Sequence, residues 1–198
     1  NLEILAPVFG LFTSFILLYY LSSLNRSNIF LALFFLCCNL VVLVYFGLHY
    51  SKIEFWEGIC FVHFLPLSFL LGPALLFYVK NTVSEDKKVY RSDLLHLFPA
   101  VFTFFATLPF TTLPLATKTA MAHKIVNITE DYNLNFQWVT FEQILYGRSI
   151  HLVLYCIASI LYFLWNKRYL MQKYEALPSN HRLIQKWIFS LIFLQLVN

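Results

Sequence analysis

The chain is 198 residues long, 60% hydrophobic and only 12% charged, with a formal net charge of +4 and a mean hydropathy of +0.68. Soluble domains carry about a quarter charged residues, so this composition excludes an ordinary water-soluble globular domain. The four cysteines (Cys37, Cys38, Cys60 and Cys156) lie inside apolar stretches, with no CxxC spacing and no histidine at ligand spacing, which argues against a disulfide framework or a metal site.

Five stretches, 4–21, 29–48, 59–79, 94–116 and 144–165, are dominated by Leu, Ile, Val and Phe, and a sixth opens at Trp187. A hydrocarbon core about 30 Å thick needs roughly 20 helical residues to cross it. One such run is ambiguous; five in succession are not. The sequence therefore predicts an all-α fold, a polytopic transmembrane helix bundle with six helices at least begun. Their expected spans are about 4–21, 29–48, 59–79, 94–116, 142–177 (membrane part to about 165) and 184–198. Residues 1–198 read as one transmembrane helical domain and, since the chain starts at Asn1 and stops inside an apolar run, as a fragment.

In the first run, Ala6, Gly10 and Ser14 recur every four residues and give a face suited to close helix packing. In the second, Asn39 sits near the centre, where it is expected to bond across to a neighbour. The third carries His63, Pro66, Gly72 and Pro73. The prolines predict kinks, and Gly72-Pro73 removes a backbone hydrogen bond and a side chain in mid-helix, a candidate hinge. Residues 85–88 (Glu-Asp-Lys-Lys) predict a solvated turn. Asp93 is placed as the N-cap of the fourth helix, with His96 near headgroup depth. Thr103, Thr107 and Thr111 give the fourth helix a close-packing face, and Pro99 and Pro109 predict further kinks.

The fifth run carries Arg148, His151, Tyr155, Ser159 and Tyr162. Spacings of three, four, four and three put them on one helical face. Polar groups at membrane depth are costly and tend to mark function, so this stripe, with His63 at similar depth on the third helix, is the candidate site. Glu142 is a candidate partner for Arg148, which lies near enough to the outer end to snorkel. His63 and His151 form a conceivable pH-sensitive pair. No helix breaker follows until Pro178, so the fifth helix is expected to run about two turns past the membrane and stop near Leu177, with Asn166, Lys167 and Arg168 at headgroup level.

Basic residues orient the chain. The first, third and fifth loops hold Arg26; Lys80, Lys87, Lys88 and Arg91; and Lys167, Arg168, Lys173, Arg182 and Lys186. The second and fourth hold only Lys52, Lys118 and Lys124, which makes ten against three. Cytoplasmic loops collect Lys and Arg, so the N-terminus is expected outside, in a multi-pass protein of the inner (cytoplasmic) membrane. Asn127-Ile128-Thr129, a glycosylation sequon, falls on the outer side. Aromatics at run ends, such as Tyr19, Tyr50, Trp56, Trp138 and Trp165, suit interfacial belts.

The runs hold no deep Asp or Glu, no paired aspartates, no GxSxG, no HExxH and no mid-helix lysine. That pattern argues against an ion-coupled transporter, an intramembrane hydrolase and a retinal protein. No catalytic, cofactor or metal residue is assigned.

Three segments carry a resemblance. They are Leu24-Asn25-Arg26-Ser27-Asn28-Ile29-Phe30-Leu31-Ala32-Leu33, a basic turn feeding the second helix; Phe69-Leu70-Leu71-Gly72-Pro73-Ala74-Leu75-Leu76-Phe77-Tyr78-Val79-Lys80, a Gly-Pro followed by an aromatic belt; and Asp93-Leu94-Leu95-His96-Leu97-Phe98-Pro99, opening the fourth helix. Together they resemble the membrane half of bacterial AraC-type transcriptional regulators, although Leu76 stands where that family often has tyrosine. The resemblance implies a seven-helix bundle with an outside N-terminus, followed by a cytoplasmic helix-turn-helix domain. It implies a sensory and anchoring role in a one-component regulator. DNA would be contacted only through that downstream domain. The other partners are the lipid bilayer, a second copy of the chain, since regulators of paired sites act as dimers, and a small-molecule or envelope signal. The alternatives are the input domain of another receptor such as a sensor kinase, or a small-solute transporter or channel along the Arg148–Tyr155 stripe.

Overall fold

The computed structural model describes residues 4–21, 26–50, 53–84, 90–126, 134–136, 138–173 and 178–197. The 85–88 run, the sequon at 127–129, the start of the first family-like segment at Leu24-Asn25 and the expected helix stop near Leu177 lie outside them. Every regular element among the described residues is helical.

The first run forms α1 (Leu5–Ile16), closed by a π-helical turn (Leu17–Leu21), and packs on α2 (Arg26–Tyr50). Its small-residue face works at one point. Gly10 lies so close to the Asn39 amide of α2 that a methyl group there would overlap it. Pro7 and Ser14 are buried on the same helix, whereas Ala6 is exposed. Among the described residues, Asn39 does not bond across to a neighbouring helix. Its Nδ2 donates to Phe35 O of its own helix at 2.6 Å, so the amide serves as the surface that glycine admits.

The third run extends from 54 to 83 and is three helices, not one kinked helix over 59–79. They are α3 (Glu54–His63), α4 (Leu65–Ser68) and α5 (Leu71–Val83), separated by turns at Phe64 and at Phe69-Leu70. The prolines explain the divisions. Pro66 opens α4 and Pro73 sits in the first turn of α5, where N–H groups have no intrahelical acceptor and a missing donor costs nothing. α5 is the hub of the bundle and is buried nearly all round. Leu75, Val79 and Val83 are closed off completely.

The fourth run starts with a 3-10 segment (Arg91–Leu97) and continues as α6 (Phe98–Thr111). Asp93 is not the N-cap of the helix. It lies in the first turn of the 3-10 segment and reaches back, accepting the Tyr90 backbone N–H at 2.8 Å and the Lys80 ammonium at 3.1 Å. The run also stops short of 116, because Leu115 and Ala116 belong to α7 (Leu115–Val126). This helix stands in what the sequence marks only as a loop.

α7 is held tightly on α3. A Cβ at Gly58 would come within 2.7 Å of Leu115 Cδ1. The Glu57 carboxylate meets His123 Nε2 at 2.8 Å, and the buried Lys118 donates to Thr111 O at the end of α6 at 2.6 Å. Just before the next helix, Phe141 N donates to Leu134 O at 2.9 Å.

α8 (Phe141–Lys173) then begins under a reciprocal cap. Gln143 N donates to Thr140 Oγ1 at 3.1 Å, and Thr140 N donates to Gln143 Oε1 at 2.9 Å. α9 (Pro178–Val197) starts six residues before the expected 184, with proline as its first residue. It packs on α8 and α5.

Three helical stretches are long and apolar enough to cross a membrane: Ser27–Tyr50, Arg91–Thr111 and Phe141–Tyr169. The other runs do not present one such helix. The third is divided, the first is shorter, and α9 carries His181, Arg182 and Lys186 in its first half. The outward surface is rich in large apolar side chains. Phe9, Phe12, Phe98, Ile150, Leu161 and Phe193 are all exposed, and Trp165 is 88% exposed. Soluble monomers rarely show such a surface.

Candidate functional site

The site is built on α8 because its polar residues share one face while its apolar residues take the other. Ile150, Leu154, Ile157, Leu161 and Leu164 are exposed, and Arg148, His151, Tyr155, Ser159 and Tyr162 are buried or half-buried. α8 packs chiefly on α5 and next on α9, so the stripe faces the bundle and meets the broken third run.

At the N-terminal end of the stripe, Arg148 borders a cavity of about 170 Å3 that Ser68, Leu71, Leu152 and Gln195 also line. Glu142 is exposed and does not pair with Arg148, whose guanidinium has no ion-pair or hydrogen-bond partner among the described residues. Gln195 is 1% exposed, and neither its Oε1 nor its Nε2 finds a partner among the described residues. Ser68 donates its hydroxyl to Leu65 O at 2.6 Å, which leaves its oxygen able to accept. Cys38, on the cavity's wall, also lines an open apolar groove of about 720 Å3 between α2 and α9.

One turn further in, the His151 ring packs against Phe69 at 5.4 Å and Tyr155 at 4.5 Å between centroids. Both its ring nitrogens are buried without a partner among the described residues. Tyr155 lies against Gly72 of α5, and its hydroxyl is hydrogen-bonded to His96 Nδ1. The edge of His96 meets Phe77 at 5.4 Å. Ser159 is fully buried and its hydroxyl is also unpartnered. Tyr162 packs on the main apolar core.

No family model, curated protein or solved structure matches the chain.

The stripe thus meets Gly72 through Tyr155, with Pro73 buried beside that glycine, while His63 stands apart. Its Nδ1–H donates to Ile59 O at 2.8 Å and its ring meets Phe110 at 6.2 Å. His151 faces Phe69 and Tyr155 instead, so the two histidines do not form the expected pair. His96 takes the place of His63 at the cluster, reached through Tyr155. Gln195 is a residue that the sequence reading passes over, although a lone amide inside an apolar run is the kind of signal that marks a buried contact. Among the described residues, no group of three His, Cys, Asp or Glu is placed to hold a metal ion. Chemically, the Arg148 end of the stripe offers a cation and an amide to an anion, and its middle offers a hydrogen-bonded aromatic contact between α5, α8 and the start of the fourth run.

Proposed function

We propose that the chain is a multi-pass membrane domain with its N-terminus outside, and that it is the sensory and anchoring part of a one-component AraC-type transcriptional regulator. α8 carries this reading. Its 33 residues reach about 50 Å, well beyond a hydrocarbon core of about 30 Å. One unbroken helix therefore joins the Arg148 cavity at one end to the basic segment with Lys167, Arg168 and Lys173 at the other. A signal that changes how α8 seats on α5 would move that basic end as a rigid lever. DNA is reached only through a helix-turn-helix domain further along the protein, and a second copy of the chain completes a dimer suited to paired sites.

The coding sequence downstream of Asn198 tests the reading. A helix-turn-helix region is the expected result. A kinase module there would make the chain the input domain of a sensor kinase instead, and a stop codon at that point would remove the regulator altogether.

A further inference from the structure

We infer that the hollow between Arg148 and Gln195 binds an amphiphile with an oxyanion head and an apolar chain. Three independent features converge there. The first is polar demand. Gln195 is 1% exposed with both amide atoms unsatisfied, and a native fold pairs its buried polar groups unless something else completes them. The Arg148 guanidinium on the facing helix is likewise without a carboxylate among the described residues. Its planar fork matches two oxygens of one head group. An oxyanion between them would accept from Arg148 and from Gln195 Nε2, giving both donors the acceptor they lack.

The second feature is space. The cavity of about 170 Å3 exceeds one water's share of about 30 Å3 several-fold. It is large enough for a carboxylate and its first few carbons. The third is the way out. Cys38 is shared with the apolar groove between α2 and α9, which Phe35, Val42, Phe189 and Leu194 also line. A chain leaving the polar hollow would pass along that groove. The helix break at Phe69-Leu70 stands beside the hollow, between its lining residues Ser68 and Leu71.

This inference deepens the sensory reading by naming the class of signal. It rests on that reading only for what binding does, because the binding measurement stands whatever module follows Asn198. The head group has two sources, a free carboxylate or an acidic lipid. Binding of radiolabelled decanoate to the full-length protein in zwitterionic nanodiscs tests the site, with decanol as the neutral control. Saturable decanoate binding that decanol does not displace is expected. Arg148→Gln should weaken it about tenfold or more, and Gln195→Leu by several-fold, as loss of charge-assisted hydrogen bonds requires.

Gln195→Leu also separates binding from folding. Without ligand it removes an unsatisfied buried amide, so thermal stability should hold or rise. Nanodiscs doped with phosphatidylglycerol decide the source. Undiminished decanoate binding identifies a free carboxylate, and competition that Arg148→Gln abolishes identifies the lipid. Non-saturable binding, equal displacement by decanol, or unchanged affinity in both variants would overturn the site. So would loss of ligand-free stability in Gln195→Leu, which would show that the amide is already satisfied within the protein.

Discussion

The Tyr155 ring lies against Gly72 with no room for a side chain between them. A Cβ on Gly72 would stand 2.7 Å from Tyr155 Cγ and 2.8 Å from its Cβ. Both atoms are near the root of the tyrosine, so the clash is not relieved by swinging the ring tip away, and α5 and α8 must separate. Gly72→Ala should therefore lower stability by about 1–3 kcal/mol, the usual cost of overpacking, seen as earlier thermal unfolding in nanodiscs. In Gly72→Ala/Tyr155→Ala the two costs should fall short of their sum, because the residues touch. Strict additivity would mean that the two helices do not meet at this point.

The hydroxyl of the same tyrosine reaches His96, 59 residues away in the chain. Tyr155→Phe removes that oxygen and keeps the ring on Gly72. It should cost about 1 kcal/mol, the net worth of a neutral hydrogen bond. Combined with His96→Phe in a double-mutant cycle, the coupling should be of the same size. A coupling energy of zero, measured by denaturant unfolding, would show that the pair contributes nothing to holding the start of the fourth run on α8.

Lys80 and Asp93 join the end of α5 to the start of the fourth run, with side chains 20% and 11% exposed. Lys80 also stands 5.3 Å from the Tyr90 ring centre. This burial lies between that of a surface pair, worth about 0–1 kcal/mol, and that of a fully buried one, whose breakage costs about 3–5. Lys80→Met should cost about 1–3 kcal/mol, because it leaves a carboxylate largely desolvated. Asp93→Asn should cost less, since the amide oxygen still accepts the Tyr90 N–H. Ranking the two by unfolding midpoint checks the account, and the reverse order would contradict it.

These contacts show what a sequence reading reaches here. The α8 stripe is legible because it needs only the helical period, applied to residues within one element. The presence of long apolar helices is legible for the same reason. The division of the third run is half legible. Pro66 and Pro73 announce a disturbance, but proline alone does not say whether the helix bends or stops and restarts. α7 escapes notice because its run is only modestly apolar, and its hold on α3 comes from Gly58 against Leu115 and Glu57 against His123, pairs that look unrelated in the chain. The His96–Tyr155 contact and the Arg148–Gln195 hollow join distant segments, and no local pattern encodes them. Thr140 and Gln143, by contrast, form a capping signature that is written in the sequence and fixes the start of α8 at Phe141.

Orientation is the remaining prediction, and two exposed residues decide it. Lys124 lies on α7 and Arg168 on the far part of α8, and both side chains are exposed in the fold. Protein alone blocks neither, so any difference in their reach from outside the cell comes from the membrane. The ten-to-three bias of basic residues puts Arg168 in the cytoplasm and Lys124 outside. In a background lacking the four buried cysteines, Lys124→Cys should react with an impermeant maleimide on intact spheroplasts. Arg168→Cys should react only after lysis. Labelling of Arg168→Cys before lysis would invert the bundle, placing the Arg148 hollow near the cytoplasmic face and the end of the α8 lever outside, where no DNA-binding domain could use it.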